Sequence, residues 1–197
     1  MSAKLINVIL DLETLGTDED AAIIQIGMCV PNFDRKYVPL GLVCELEVTI
    51  AYEDVREECR AGMFTMSNST MHWWESQDSE TRKIVFSGQD SYTTALDQVE
   101  FFLKSLQSGG AEVAVWGNGS DFDNRLLAYT MSALGYKPAW KYYNNRCLRT
   151  LKALFPSVIS QGNEDSGERK HTALGDARYE ARVMSTIRDG HMAARVL

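Results

Sequence analysis

Two acidic residues, Asp11 and Glu13, end a short apolar run near the start of the chain. Residues two apart in a β-strand point to the same face, so their carboxylates would lie side by side. Two like charges at that spacing are costly unless a cation lies between them. The pair predicts a metal site, or, as the plainer alternative, two solvated acids in a loop after a strand.

A second acidic segment, residues 116–124 (WGNGSDFDN), lies where a predicted strand gives way to a predicted helix. The positive end of a helix macrodipole favours carboxylates at such a junction. Asp121 or Asp123 could therefore act in a site. The alternative is an ordinary helix N-cap by Ser120 or Asp121, which needs only one of the two acids.

A third motif, HTALGD, runs from His171 to Asp176. Thr172 is a credible N-cap, which leaves His171 in the preceding loop and puts Asp176 in the first turns of a helix. Both side chains can then face one cleft. A histidine beside an acid is a candidate general base, and a surface histidine without a catalytic role is the alternative.

A basic and aromatic stretch covers residues 124–163, which contain no Asp or Glu although the whole chain has a net charge of -7. Its cations are Arg125, Lys137, Lys141, Arg146, Arg149 and Lys152, and its interleaved aromatics are Tyr136, Trp140, Tyr142 and Tyr143. Single-stranded nucleic acid is bound by such a mixture, through phosphates and base stacking. The alternative is that the aromatic rings are buried and the cations are merely solvated.

The composition indicates what class of protein carries these motifs. A chain of 197 residues with 45% hydrophobic and 24% charged residues predicts one globular domain, residues 1–197. Four cysteines without a C-x-x-C pair argue against a zinc site and suit a reducing cytoplasm. We see neither a signal peptide nor an apolar run of about 18 residues, so we expect a cytoplasmic protein without a membrane partner. The oligomeric state stays open, with a homodimer as one expectation.

The predicted elements place the motifs at strand ends and helix starts. Three apolar, β-branched segments predict an antiparallel meander of strands at residues 5–10, 22–30 and 41–50. Helical periodicity and breakers predict the remaining elements: helices at 68–77 and 94–106, a strand at 111–116, helices at 122–134 and 147–155, an exposed loop at 161–170, and a last helix from 172. This order predicts an α/β domain with a mixed sheet flanked by helices.

Taken in order, the three motifs resemble those of the DEDDh 3′-to-5′ exonucleases of the RNase H-like superfamily, over residues 6–184. The resemblance implies an RNase H-like fold and a set of metal-binding acids with a histidine base. The positions that match the acids are Asp11, Glu13, Asp123 and Asp176, and His171 matches the base. It also implies that Thr14 and Leu15 contact the terminal nucleotide, with Leu15 as an apolar wedge under its base.

Residues 69–74 (STMHWW), followed by Gln77 and Arg82, are similar to the phage exodeoxyribonucleases and their bacterial and mycobacterial exoribonuclease-like relatives. In that subgroup the second motif reads W-G-x-G-x-x-F-D-N, which selects Asp123. The extra acid at Asp121 departs from the pattern and leaves its own contribution open. At least one of the two tryptophans is expected in the core.

Phosphodiester hydrolysis needs an attacking hydroxide, an in-line leaving oxygen and neutralisation of phosphate charge, which two divalent ions can supply. Carboxylate ligands favour Mg²⁺ or Mn²⁺ over Zn²⁺. Together with this chemistry, the resemblance implies a metal-dependent 3′-to-5′ exonuclease acting on single-stranded DNA or RNA 3′ ends, with His171 taking the proton from water. The residues expected to hold upstream phosphates are Lys137, Lys141, Arg146, Arg149 and Lys152.

Two other functions are compatible with the same sequence. One is a non-catalytic nucleic-acid or protein-binding module on this fold, which fold alone does not exclude. The complete acid set argues against it. The other is a small-molecule phosphodiesterase using the same metals. The sequence does not discriminate DNA from RNA, because that depends on contacts to the 2′-hydroxyl.

Overall fold

A computed structural model of the chain describes residues 4–33, 42–156 and 168–194. Within these ranges the strands are β1 (Leu5–Thr14), β2 (Ile23–Pro31), β3 (Leu42–Thr49), β4 (Glu112–Gly117) and β5 (Asn145–Cys147). They form one sheet in the order β3-β2-β1-β4-β5. The first three strands are antiparallel, while β4 and β5 run parallel to β1. The predicted meander and the mixed α/β sheet are confirmed.

The helices of the described residues are α1 (Tyr52–Arg60), α2 (Asn68–Ser76), α3 (Ser79–Val85), α4 (Tyr92–Leu106), α5 (Asp123–Ala133), α6 (Leu148–Leu154) and α7 (Ala173–Ala194). The predictions did not include α1, α3 or β5, which are short and polar or charged. Most of the predicted loop at 161–170 lies outside the described residues. Among the described helices, none has the length and apolar character needed to cross a membrane.

The two faces of the sheet carry different layers because side chains alternate along each strand. Val8, Leu10 and Leu12 of β1 face the larger hydrophobic cluster, while Ile9 belongs to a smaller cluster formed with residues of α6 and α7 such as Leu148. Continuing the alternation from Ile9 puts the next two odd positions of β1, 11 and 13, on the α6 and α7 side. The candidate site therefore lies where this smaller cluster ends.

Helix α7 begins directly on strand β2, beside the acidic end of β1. Gly27 pairs with Asp11 across the β1–β2 ladder, and a Cβ added at Gly27 would lie 2.1 Å from the carbonyl carbon of Ala173. The next inward residue of β2, Gln25, pairs with Glu13 and accepts a hydrogen bond from Ala173 N at 2.8 Å. The side chain of Gln25 is fixed by a second hydrogen bond, in which its Nε2 donates to Thr49 Oγ1 at 3.0 Å. These contacts fix the start of α7 over the two β1 acids.

Candidate active site

Glu13 and Asp11 lie at the end of β1 in a strongly acidic environment. Glu13 is buried, and burial followed by the charges of Asp176 and Asp123 raises its pKa to about 8. Burial also raises the pKa of Asp11 well above its usual range, and neighbouring carboxylates add to the effect. Neutralising negative charge is therefore favourable at this end of the strand, and a bound cation would have that effect.

The HTALGD turn brings its histidine and its acid to Glu13. Single ligand atoms of Glu13, His171 and Asp176 lie within 4.8 Å of one another. His171 has a left-handed backbone conformation, with φ of 58°, and its amide donates to Asp176 Oδ2 at 3.0 Å. Burial raises the pKa of Asp176, and the hydrogen bond from His171 opposes that rise. The turn thus orients the acid and places a ring nitrogen of His171 near Glu13.

Two residues of this turn explain its shape. A Cβ at Gly175 would lie 2.2 Å from the carbonyl oxygen of Arg169, so the close approach of the loop to the helix needs glycine there. Thr172 precedes α7 as predicted, but its hydroxyl donates to the Arg169 carbonyl oxygen at 2.9 Å. Gln25, from a distant part of the chain, satisfies the first amide of the helix instead.

Asp123 is the first residue of α5 and is 5% exposed. Gly119 N donates to its Oδ2 at 3.3 Å. Burial raises the pKa of Asp123 to about 6, while the backbone amides and Arg149 act in the opposite direction. Asp121 is exposed, and Phe122 occupies the N-cap position without a side-chain hydrogen bond. The plain capping interpretation of this segment is therefore wrong.

Carboxylates of β1 itself and of two further elements, α5 and α7, act on Asp11. Those whose charges raise its pKa are Asp123, Glu180, Glu13 and Asp176. The structure thus brings together all four predicted acids, and it adds Glu180, which the sequence analysis missed. Glu180 lies four residues after Asp176 on α7 and is buried. The sequence feature that could have indicated Glu180 is its helical spacing from Asp176, because residues four apart share a helix face.

Two predicted cations lie beside the acids. Lys152 Nζ donates to Asn118 Oδ1 at 3.0 Å, and Arg149 N donates to Asn118 O at 2.9 Å. Arg149 lowers the pKa of Asp123, and Lys152 lowers that of Asp176. Helix α6 therefore carries positive charge to the rim of the acidic cluster.

The other cations of the basic and aromatic stretch have different surroundings. Lys141 forms an ion pair with Glu112 at 2.6 Å, and Arg125 forms one with Glu19 at 2.7 Å. Arg146 donates to two backbone carbonyl oxygens, at 2.8 and 2.9 Å. Lys137 is exposed. A stretch without acids in the sequence is thus not a surface without acids, because Glu19 and Glu112 reach it from elsewhere.

One tryptophan of the pair lies in the core, as expected, and the other lies at the surface. Trp74 is 1% exposed and its indole donates to Thr14 O at 2.9 Å. Trp73 is 40% exposed, and its ring lies edge-on to that of His171 with centroids 5.0 Å apart. Thr14 Oγ1 donates to Gly16 O at 2.7 Å, and Leu15 is fully buried. Contact of Thr14 and Leu15 with a nucleotide stays a prediction.

The donor set at the site fits a divalent metal. It consists of carboxylate oxygens with one imidazole beside them, which is the ligand chemistry of hard cations. A buried oxygen, Glu180 Oε2, has no hydrogen-bond partner in the described part of the chain. Clustered acids with raised pKa values and an unsatisfied oxygen are what a bound cation would stabilise.

Solved structures share this fold. The nuclease domain of 3′hExo, described as a DEDDh family member bound to rAMP, is 13% identical, with a TM-score of 0.63 over 94% of this chain and 92% of its own. A full-length 3′-exonuclease is 16% identical, with a TM-score of 0.57 over 96% and 84% of the two chains. Cell-death related nuclease 4 (CRN-4) is 12% identical, with a TM-score of 0.61 over 96% of this chain and 64% of its own.

Sequence comparison gives the family directly. A search of curated proteins finds no match. The model of one family, described as the 3′-5′ exoribonuclease Rv2179c-like domain, matches residues 6–188. That range contains every acid of the cluster and the histidine beside it. The chain therefore belongs to the Rv2179c-like family of 3′-5′ exoribonuclease domains.

Proposed function

We propose that this 3′-5′ exonuclease removes nucleotides from the 3′ ends of single-stranded RNA by hydrolysis that depends on two divalent ions, Mg²⁺ or Mn²⁺. The observation that carries the proposal is the convergence of buried and half-buried carboxylates from β1, α5 and α7 at one end of the sheet. The residues proposed to hold the ions are Asp11, Glu13, Asp123 and Asp176. RNA is chosen over DNA because the family description names an exoribonuclease.

The chemistry divides between the ions and the chain. When bound, two such ions would activate the attacking water, stabilise the leaving 3′ oxygen and neutralise phosphate charge. His171 is proposed as the general base that takes the proton from that water. Its backbone is held by Asp176 and its ring by Trp73. The imidazole is half-buried, so it can pass the proton to solvent.

The positive residues suggest a path for the strand. Lys141 pairs with Glu112 at the start of β4, whereas Arg149 and Lys152 contact Asn118, just beyond its end. The intervening strand spans about 17 Å at roughly 3.3 Å per residue. Positive side chains therefore occur at both ends of β4, and Arg146 lies on the neighbouring strand β5.

In this proposal Arg149 and Lys152 hold the phosphates nearest the reacting bond. Arg146, Lys141 and the exposed Lys137 contact phosphates further upstream. Tyr142 and Tyr143 are 84% and 55% exposed beside Lys141, which makes them suitable for base stacking. The ion pair between Lys141 and Glu112 is exposed, so exchanging it for a phosphate costs little.

We also propose a cytoplasmic location. All four cysteines are free thiols, Cys29, Cys44, Cys59 and Cys147, as a reducing compartment favours. A homodimer stays a prediction, to be tested by the mass of the protein in solution.

The test is digestion of matched single-stranded RNA and DNA, labelled at either end, with Mg²⁺, with Mn²⁺ or with excess EDTA. We expect stepwise shortening of RNA from the 3′ end that requires the metal. Glu13→Gln is the inactive control, because it keeps the shape of the side chain and removes its charge.

Each other outcome points to a different function. Binding of RNA without cleavage would favour a non-catalytic module, and cleavage of mononucleotide esters alone would favour a small-molecule phosphodiesterase. Faster digestion of DNA would correct the substrate class. Undiminished cleavage in EDTA would refute the dependence on metal.

A further inference from the structure

Glu180 is a buried carboxylate for which the proposed mechanism has no role. It lies one helical turn after Asp176 on α7 and its side chain is 3% exposed. Its Oε2 is fully enclosed and has no hydrogen-bond partner in the described part of the chain. Because an unsatisfied buried oxygen destabilises the fold, such a group calls for an explanation.

The surroundings of Glu180 are those of the acidic cluster. The charges of Asp123 and Asp176 raise its pKa, after burial as the larger cause, while Lys152 and Arg149 act in the opposite direction. Neither cation is a hydrogen-bond partner of the enclosed oxygen. Glu180 therefore experiences both the charges of the carboxylates and the positive charge of Lys152, but its enclosed Oε2 has no hydrogen bond from either cation.

Glu180 belongs to a different part of the acidic cluster from the histidine. Among the described residues, one group of acid and histidine ligand atoms lies within 4.8 Å, that of Glu13, His171 and Asp176, and Glu180 is not in it. Asp123 and Glu180 are the two carboxylates whose charges raise the pKa of Asp11 most, after burial as the larger cause. Glu180 therefore acts on the part of the cluster that contains Asp11 and Asp123.

We propose that Glu180 is a fifth carboxylate of the metal site, which supports the second of the two divalent ions beside Asp11 and Asp123. This rests on the proposed metal-dependent function. Two carboxylates would leave that ion dependent on oxygens of the substrate phosphate. A third carboxylate from the chain itself allows the second ion to bind before the nucleic acid does.

The test is Mn²⁺ binding to the full chain without nucleic acid, measured by calorimetry and by electron paramagnetic resonance of the free ion. The wild type is expected to bind two ions. Glu180→Gln, which keeps the side-chain shape, should weaken the second ion by roughly 10- to 100-fold, the usual effect of losing a group that supports a metal site. Glu180→Asp, which keeps the charge, should restore part of the affinity.

Asp189→Asn is the matched control, because Asp189 is an exposed acid on the same helix. It should bind two ions with wild-type affinity. If Glu180→Gln also binds two ions with wild-type affinity, Glu180 is only a buried structural acid and the inference is overturned. A wild type that binds a single ion without RNA overturns it as well, while the proposed nuclease function is judged separately by metal-dependent RNA cleavage.

Discussion

The acidic cluster should make the metal-free protein less stable as the pH rises. The unfolded chain releases the Glu13 proton near the ordinary pKa of 4.5, whereas the folded chain keeps it until about pH 8. Between these values the folded state binds more protons, so its free energy of unfolding falls with rising pH. At about 1.4 kcal/mol per pH unit, Glu13 alone contributes a loss on the order of 4 kcal/mol between pH 5 and 8.

Urea unfolding of EDTA-treated protein at pH 5, 6, 7 and 8 measures this loss. Glu13→Gln should show a much shallower dependence, and at pH 8 it should be more stable than the wild type. The control Asp189→Asn should follow the wild type, because that acid is exposed and outside the cluster. Glu180, whose pKa is also raised to about 8, adds a loss of the same sign.

Adding Mg²⁺ or Mn²⁺ should reverse the loss, and more at pH 8 than at pH 5, because protons compete with the ion for the same carboxylates. An ion at 100 times its dissociation constant stabilises the fold by about 2.7 kcal/mol. A metal-free stability that stays constant or rises from pH 5 to 8 would refute the reasoning. So would equal pH slopes for the wild type and Glu13→Gln.

Three further predictions concern individual side chains. Asp123→Asn should be nearly inactive on RNA while Asp121→Asn keeps most activity, and the reverse ranking in initial rates would show that the motif is misaligned by two residues. His171→Ala should lower the cleavage rate by roughly 10²- to 10⁴-fold, with Mn²⁺ affinity largely intact by calorimetry; an unchanged rate would exclude it as the base. Replacing Arg149 and Lys152 by Gln should reduce the log–log salt slope of RNA binding by about 0.7 per phosphate contact, and an unchanged slope in filter binding would show that neither contacts a phosphate.

The parts of the site that the sequence predicts are those fixed by local rules. Strand alternation is a property of β1 itself, so Asp11 and Glu13 could be placed on one face without knowledge of the fold. The HTALGD spacing likewise placed His171 before the helix and Asp176 in its first turn. The choice of Asp123 needed the family pattern, because composition alone does not separate it from Asp121.

The parts that were missed depend on contacts between distant segments. Nothing local shows that Gln25 would accept a hydrogen bond from the first amide of α7, 148 residues later. Glu19 and Glu112 likewise reach the basic stretch from other elements, across 106 and 29 residues. Local charge patterning therefore overestimated how many cations are free of acidic partners.

The position of Glu180 depends both on local helical spacing and on a contact between distant segments. Its position four residues after Asp176 predicts a shared helix face, but a shared face does not say whether that face meets water or the sheet. The answer comes from Gly27, whose missing side chain lets the start of α7 lie directly on β2 beside Asp11. A glycine on a strand thus allows the helix that carries Glu180 to pack closely against the sheet. If this docking is the cause, Gly27→Ala should displace α7 and weaken binding of both ions together, whereas Glu180→Gln should weaken only the second.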